Sequence, residues 1–235
     1  MRIVFMGTPD FAVPSLKALV EAGHEVVGVF SQPDKPVGRH QNKLQPTPVK
    51  VCAQSFEIPV FQPQTLRDGE ALNLLKELQP ELIVVAAYGK VLPDEILALP
   101  PKGCINVHSS LLPKYRGAAP INWAVVNGDE RTGVTIMDMA HELDAGDIIL
   151  QGETPIGPDE LVGEVHDRLA GLGGELLVRA VEQIAHGTAR RTPQDPALVT
   201  YAPMLSRALS PIDWTQNARD IHNKIRGLNP WPATS

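Results

Sequence analysis

Arg2-Ile3-Val4-Phe5-Met6-Gly7-Thr8-Pro9 is an apolar run that halts abruptly at a Gly-Thr-Pro turn. It reads as a buried strand. Outward from it, Pro14 to Ala22 puts Leu16, Leu19 and Val20 on one helical face, and Gly23 stands where a helix ends. Glu25 to Phe30 is strand-like again, with Val26, Val27 and Val29. Strand, helix and parallel strand make a right-handed βαβ unit. Further on, Leu82 to Ala87 is uniformly apolar, as a central strand covered on both faces must be. Ile58 to Phe61 and Gly103 to Val107 read as strands, Ala71 to Leu78 and Pro93 to Leu97 as helices. This alternation predicts an α/β fold: a Rossmann-like, doubly wound, mostly parallel sheet.

Other segments are less regular. Residues 31–46 show no helical or alternating pattern and read as a long loop. Thr47 and Pro48 have the character of an N-cap and first helical residue, for a helix reaching about Phe56. Gly133 to Met139 and Asp147 to Leu150 read as strands flanking a turn. Glu160 to about Ile184 reads as a long helix, although Gly163, Gly171, Gly173 and Gly174 weaken the case for a single uninterrupted one. Pro193 to Ala202 reads as a connection. Order resumes near Ile212-Asp213-Trp214, with a helix over Ala218 to Ile225.

Composition narrows the class. The chain has 235 residues, 43% apolar and only 5% aromatic, so aliphatic side chains must fill most of the core. A net charge of −6 excludes a generally basic nucleic-acid binder and leaves room for a local basic patch. Cys52 and Cys104 are the only cysteines, too few and too far apart for a disulfide framework or zinc site. No secretory or membrane-spanning apolar run is present, so a cytoplasmic protein is expected.

The chemistry concentrates in Cys104-Ile105-Asn106-Val107-His108-Ser109-Ser110-Leu111-Leu112-Pro113. Strand alternation sends Asn106 and His108 to one face and Ile105 and Val107 to the other. An amide beside an imidazole suits acyl-type transfer, one as oxyanion donor and the other as proton carrier. A capped strand with a satisfied histidine is the plainer alternative. Asp144, between Leu143 and Gly146, could orient His108; Gly146 permits a positive φ there. The alternative is an Asp bonded to its own turn. His141 and Glu142 are rivals without a comparable turn. Gly7-Thr8-Pro9 fails the dinucleotide fingerprint, because Pro9 brings bulk and no N–H. Residues 31–50 hold Lys35, Arg39, Lys43 and Lys50 against Asp34, either a solvated loop or a phosphate-backbone contact. Lys114 to Gly117 is a second anion contact or loop surface. Trp123, Trp214 and Trp231 are read as packing residues.

Together, Asn106-x-His108, Ser110-Leu111-Leu112-Pro113 and Leu143-Asp144-Ala145-Gly146-Asp147 resemble the folate-dependent formyltransferases. Gly7 to Phe11, Gln32 to Pro36, Arg116 to Pro120 and Asn229-Pro230-Trp231-Pro232 extend the resemblance over the whole chain and towards the members that formylate initiator methionyl-tRNA. The resemblance implies 10-formyltetrahydrofolate as co-substrate and no metal. It implies Asn106, His108 and Asp144 as the catalytic set, Ser110, Leu111, Leu112 and Pro113 at the folate, and Lys35, Arg39 and Lys43 at tRNA. It implies a catalytic domain over 1–190, a linker over 191–205, and over 206–235 the start of a C-terminal tRNA-binding domain, nearly all of which is absent. A monomer is expected. Ser109 replaces a usual glycine, and His40-Gln41-Asn42 replaces a stretch often richer in Gly and Lys. Rival readings are a formyltransferase for a small amine (an amino sugar nucleotide or glycinamide ribonucleotide), a formate-releasing hydrolase, and an inactive folate-binding module.

Overall fold

The structure is a computed structural model that describes residues 1–38, 41 and 43–235. β1 (Arg2–Gly7), α1 (Val13–Glu21) and β2 (Glu25–Phe30) form the expected first unit, β1 and β2 pairing in parallel. β3 (Lys35–Val37) and β4 (Lys43–Gln45) precede α2 (Pro48–Ser55) and β5 (Val60–Phe61). Then come α3 (Glu70–Leu78), β6 (Leu82–Ala86), α4 (Asp94–Leu97) and β7 (Cys104–His108). β8 (Arg116–Gly117), α5 (Pro120–Val126), β9 (Arg131–Asp138) and β10 (Ile148–Pro155) follow. The chain finishes with α6 (Val162–Ala185), β11 (Tyr201–Ala202) and α7 (Ala218–Leu228).

Seven strands make one sheet in the order β10-β9-β7-β6-β1-β2-β5. β5, β2, β1, β6 and β7 are mutually parallel, and β9 runs against both β7 and β10. The predicted doubly wound, mostly parallel sheet is therefore present, with one reversed strand. Alternation along each strand feeds two cores. Ile3, Phe5, Leu82, Val84, Ile105 and Val107 pack towards α1, α2, α5 and α6. Val4, Met6, Ile83, Val85 and Cys104 pack towards α3 and α4. Asn106 and His108, sharing the parity of Cys104, belong to this second face.

Three expectations are refined. The long helix is present as α6, unbroken over 24 residues despite its glycines. Two of its glycines mark close approach: a Cβ at Gly173 would lie 3.0 Å from Val107 Cγ1, and one at Gly174 3.0 Å from the Pro14 carbonyl. Buried Val165, Leu169, Leu176, Leu177, Val181 and Ile184 outweigh the glycines' helix cost of about 1 kcal/mol each. Residues 31–46 are not wholly irregular, since β3 and β4 pair as an antiparallel hairpin. All its strand residues are exposed, so no core imposes alternation on the sequence. The packing role expected of three tryptophans holds only for half-buried Trp123, whose Nε1 donates to the Pro203 carbonyl at 2.8 Å. Trp214 is 76% exposed and Trp231 51%.

Thr47 caps α2 as read, its hydroxyl accepting from Lys50 N. Helix α5 begins at Pro120 with no side-chain cap and gave no sequence signal. α7 docks against it through Asn122 Nδ2, which donates to the Gly227 carbonyl at 2.8 Å. Buried Arg226 ties α7 to the carbonyls of Gly157 and Glu160. Among the described residues, no helix is long and apolar enough to cross a membrane.

Candidate active site

His108 ends β7 and is 6% exposed. Its Nε2 lies 2.9 Å from the Tyr115 carbonyl. A carbonyl only accepts, so Nε2 carries the hydrogen and Nδ1 is the nitrogen left to exchange a proton. Nδ1 stands 3.7 Å from Asp144 Oδ1. Asp144 Oδ2 accepts from the Gly117 backbone N–H at 2.8 Å. Asn106 sits two residues before His108 on the same strand face and is half-buried. Its carboxamide has no hydrogen bond to another described residue.

Asp144 is held by strained backbone. The positive φ assigned to Gly146 belongs to Asp144 itself, at 54°. Gly146 is needed for a different reason, since a Cβ there would run into the Asp138 carbonyl. Tyr115 also has a positive φ, 62°, which aims its carbonyl at His108. Its phenol donates to Asp129 at 2.7 Å and accepts from Asn127 Nδ2 at 3.0 Å. Burial, reinforced by the neighbouring Asp129, pushes that phenol up to about 12, so it stays a donor at neutral pH. Two positive-φ residues, Tyr115 and Asp144, thus face the two ring nitrogens of one histidine.

The Ser110–Pro113 turn is held from within. Fully buried Ser110 gives its hydroxyl to the Lys114 carbonyl at 2.6 Å. Thr135 donates to the Ser110 carbonyl and accepts from Leu112 N, while Gln151 Nε2 donates to the Leu112 carbonyl and to Thr135. These bonds shape the turn and leave Leu111 and Pro113 as its half-buried members. Among the described residues, no cluster of His, Cys, Asp and Glu has metal-binding arrangement. Of the rivals of Asp144, exposed His141 pairs with Asp94 at 3.0 Å, and exposed Glu142 meets Arg116 at 3.3 Å.

The basic hairpin is a separate surface. Cross-strand register places Lys35, Val37, Lys43 and Gln45 on one face and Pro36 and Leu44 on the other. Lys35 and Lys43 are therefore exposed on a common side. Lys50, counted with them in sequence, is engaged elsewhere, 2.7 Å from Asp34 and 3.0 Å from Gln62. Arg39 lies outside the described residues.

Sequence reasoning did not find the Tyr115 carbonyl, Gln194 or the Thr135–Gln151 pair. Backbone groups and long-range amide bonds carry no residue-type signal. Cavities of about 360 Å³ at Gly103, Asp138 and Arg191 and about 300 Å³ at Arg67 and Glu95 have none of Asn106, His108 and Asp144 in their walls.

Comparison with known proteins identifies the family. Residues 1–181 match the formyl transferase family, and residues 204–235 match the formyl transferase C-terminal domain. A methionyl-tRNA formyltransferase from Desulforamulus reducens is 56% identical over 234 residues, which is 100% of this chain and 74% of that protein. One from Moorella thermoacetica is 60% identical over 232 residues, 99% of this chain and 74% of the relative. Among solved structures, an N-formyltransferase from Helicobacter canadensis in complex with folinic acid and dTDP-3-aminofucose superposes with a TM-score of 0.76 at 20% identity, over 96% of this chain and 79% of that one. HypX from Aquifex aeolicus with tetrahydrofolic acid gives 0.69 at 18% identity, over 99% and 35%. Those two likenesses speak to fold alone. The sequence relatives go further: the chain is an enzyme of the formyl transferase family and belongs with the methionyl-tRNA formyltransferases.

Proposed function

We propose that this enzyme transfers the formyl group of 10-formyltetrahydrofolate to the α-amine of initiator methionyl-tRNA, with Asn106, His108 and Asp144 as its catalytic residues. The observation that carries the reading is the convergence of the Asp144 turn on His108, whose ring is held by the Tyr115 carbonyl. An α-amine has a pKa of about 7.7–8.0, so much of it is neutral near pH 7. Its nitrogen attacks the formyl carbon, and the carbonyl oxygen takes the electron pair. Asn106 donates to that oxyanion with an amide that no described residue engages. The amine's proton leaves, the bond from carbon to the folate nitrogen breaks, and that nitrogen gains a proton. In this reading His108 Nδ1 and Asp144 carry those protons, an imidazolium at Nδ1 facing the carboxylate.

Leu111 and Pro113 are the members of the Ser110–Pro113 turn left to meet the folate. Exposed Lys35 and Lys43 sit where a phosphate backbone could lie against one hairpin face. The assay is transfer of labelled formyl from 10-formyltetrahydrofolate to charged initiator tRNA, with an amino sugar nucleotide as competing acceptor. Labelled formyl-methionine is expected. Preferential labelling of the sugar would overturn the acceptor assignment. Wild-type single-turnover rates in both Asn106→Ala and His108→Ala would overturn the catalytic one.

A further inference from the structure

Within the segment between the two family matches, residues 182–203, the stretch from Thr192 to Ala202 is fastened around the candidate active site. Thr192 exchanges backbone hydrogen bonds with Ile148. Thr200 accepts from Tyr115 N on its hydroxyl and from Arg116 N on its carbonyl. β11 pairs with β8, and a Cβ at Gly117 would come within 2.8 Å of the Ala202 carbonyl. At the centre lies half-buried Gln194. Its amide nitrogen donates to the carbonyls of Asp144 and Gly146, each at 2.8 Å. Its amide oxygen accepts from Arg116 Nε at 3.1 Å and Nη2 at 2.9 Å. Two donors and one acceptor are thus all used, a pattern that a carboxylate, lacking the donors, cannot reproduce.

We propose that Gln194 is a positioning residue for formyl transfer. It holds the left-handed Asp144 turn against Arg116, so that the Asp144 carboxylate faces His108. The proposal rests on the catalytic role given to Asp144 above. Asp144 sits at φ 54°, Gln194 grips the Asp144 carbonyl and that of Gly146 two residues on, and the Asp144 carboxylate is steadied by the N–H of Gly117, the neighbour of Arg116. Strained backbone persists only where its surroundings over-determine it. Here the surroundings include one side chain from a distant segment. Displacement of a reacting group by an ångström costs about 10²-fold in rate.

The test is a double-mutant cycle on the full chain, using Gln194→Met and Gln194→Glu with Asp144→Ala. Either Gln194 variant alone is expected to lower kcat by about 10²-fold, with KM for folate and tRNA changed less than about threefold and the melting temperature nearly preserved. In the Asp144→Ala background the same Gln194 change is expected to cost no further rate, because it acts through that carboxylate. Additive losses, or a wild-type kcat in both Gln194 variants, overturn the proposal. Should both variants fail to fold, Arg116→Lys, which keeps the charge and gives up the paired guanidinium contact, is put through the same cycle, with additive losses again counting against the clamp. Retained turnover in Asp144→Ala alone would instead sink the catalytic reading beneath it.

Discussion

His108 offers its two ring nitrogens to different partners: Nε2 to the Tyr115 carbonyl at 2.9 Å, and Nδ1 towards Asp144 Oδ1 at 3.7 Å. The second separation exceeds a hydrogen bond and lies within ion-pair range. The ring is therefore anchored through Nε2, while Nδ1 faces the carboxylate with no hydrogen bond between them. Tyr115 can serve this purpose because its backbone is bent to a positive φ and its phenol is fixed by Asp129 and Asn127.

Asp144→Asn separates charge from shape. The substituted carboxamide oxygen can still accept from Gly117 N, so the turn is expected to survive. The negative charge facing Nδ1 is lost. A fall in kcat of about 10²- to 10⁴-fold is expected, with KM values nearly unchanged. Single-turnover formylation measures it; a wild-type rate would remove Asp144 from the chemistry.

The hairpin prediction concerns salt. Lys35 and Lys43 share one exposed face of β3 and β4 and are free of the Asp34 pairing that engages Lys50. Lys35→Ala with Lys43→Ala is expected to raise the KM for tRNA and leave the KM for folate unmoved. The slope of log affinity against log salt should shrink by roughly 0.7–0.9 for each lysine that meets a phosphate. An identical slope in the double variant would place the phosphate contact elsewhere.

What the chain's letters reveal depends on how far a residue's job is shared with its neighbours. β1, β6 and β7 are legible because burial on both faces forces continuous apolar runs. Asn106 and His108 are legible because they break such a run at alternate positions. The hairpin is not, since exposed three-residue strands impose no pattern. The continuity of α6 is hidden too, because Gly173 and Gly174 mean opposite things in an isolated helix and in one pressed against β7 and α1. Gln194 is illegible in principle: its partners lie 48, 50 and 78 residues away, and its bonds to Asp144 and Gly146 go to backbone. Asp144 shows the intermediate case, its turn recognised but its positive φ placed two residues too late, at Gly146.

Acid stability should report on Glu160. Both its oxygens meet Arg168, at 2.6 and 2.9 Å, and one also accepts from Gly157 N. The Arg168 hydrogen bonds hold its carboxyl below the ordinary 4.5. A depressed folded value means stability that is complete above the unfolded value and lost as pH falls through the folded one. The pair is partly solvated, so Glu160→Gln should cost about 1 kcal/mol or less near neutrality. Its melting temperature should converge on that of the wild type as pH drops well below 4.5. A gap that stays constant across the titration would show the ion pair to be inert.

Glycine replacements in α6 should split by position. At Gly171 a Cβ meets nothing within 4 Å, and the residue faces solvent in mid-helix. Gly171→Ala there removes unfolded-state freedom at no steric cost and should stabilise by about 0.5–1 kcal/mol, raising the melting temperature by roughly 2–4 °C per kcal/mol. At Gly174 the added carbon would stand 3.0 Å from the Pro14 carbonyl and 3.3 Å from Ala18 Cβ. Neither can swing aside, one being backbone and the other a methyl fixed to its helix. Gly174→Ala must push α1 off α6, and overpacking of this kind costs about 1–3 kcal/mol, more than the propensity gain returns. Thermal melts of the two variants should therefore move in opposite directions. If both rise together, α1 and α6 are not in the tight contact that keeps this helix whole across four glycines.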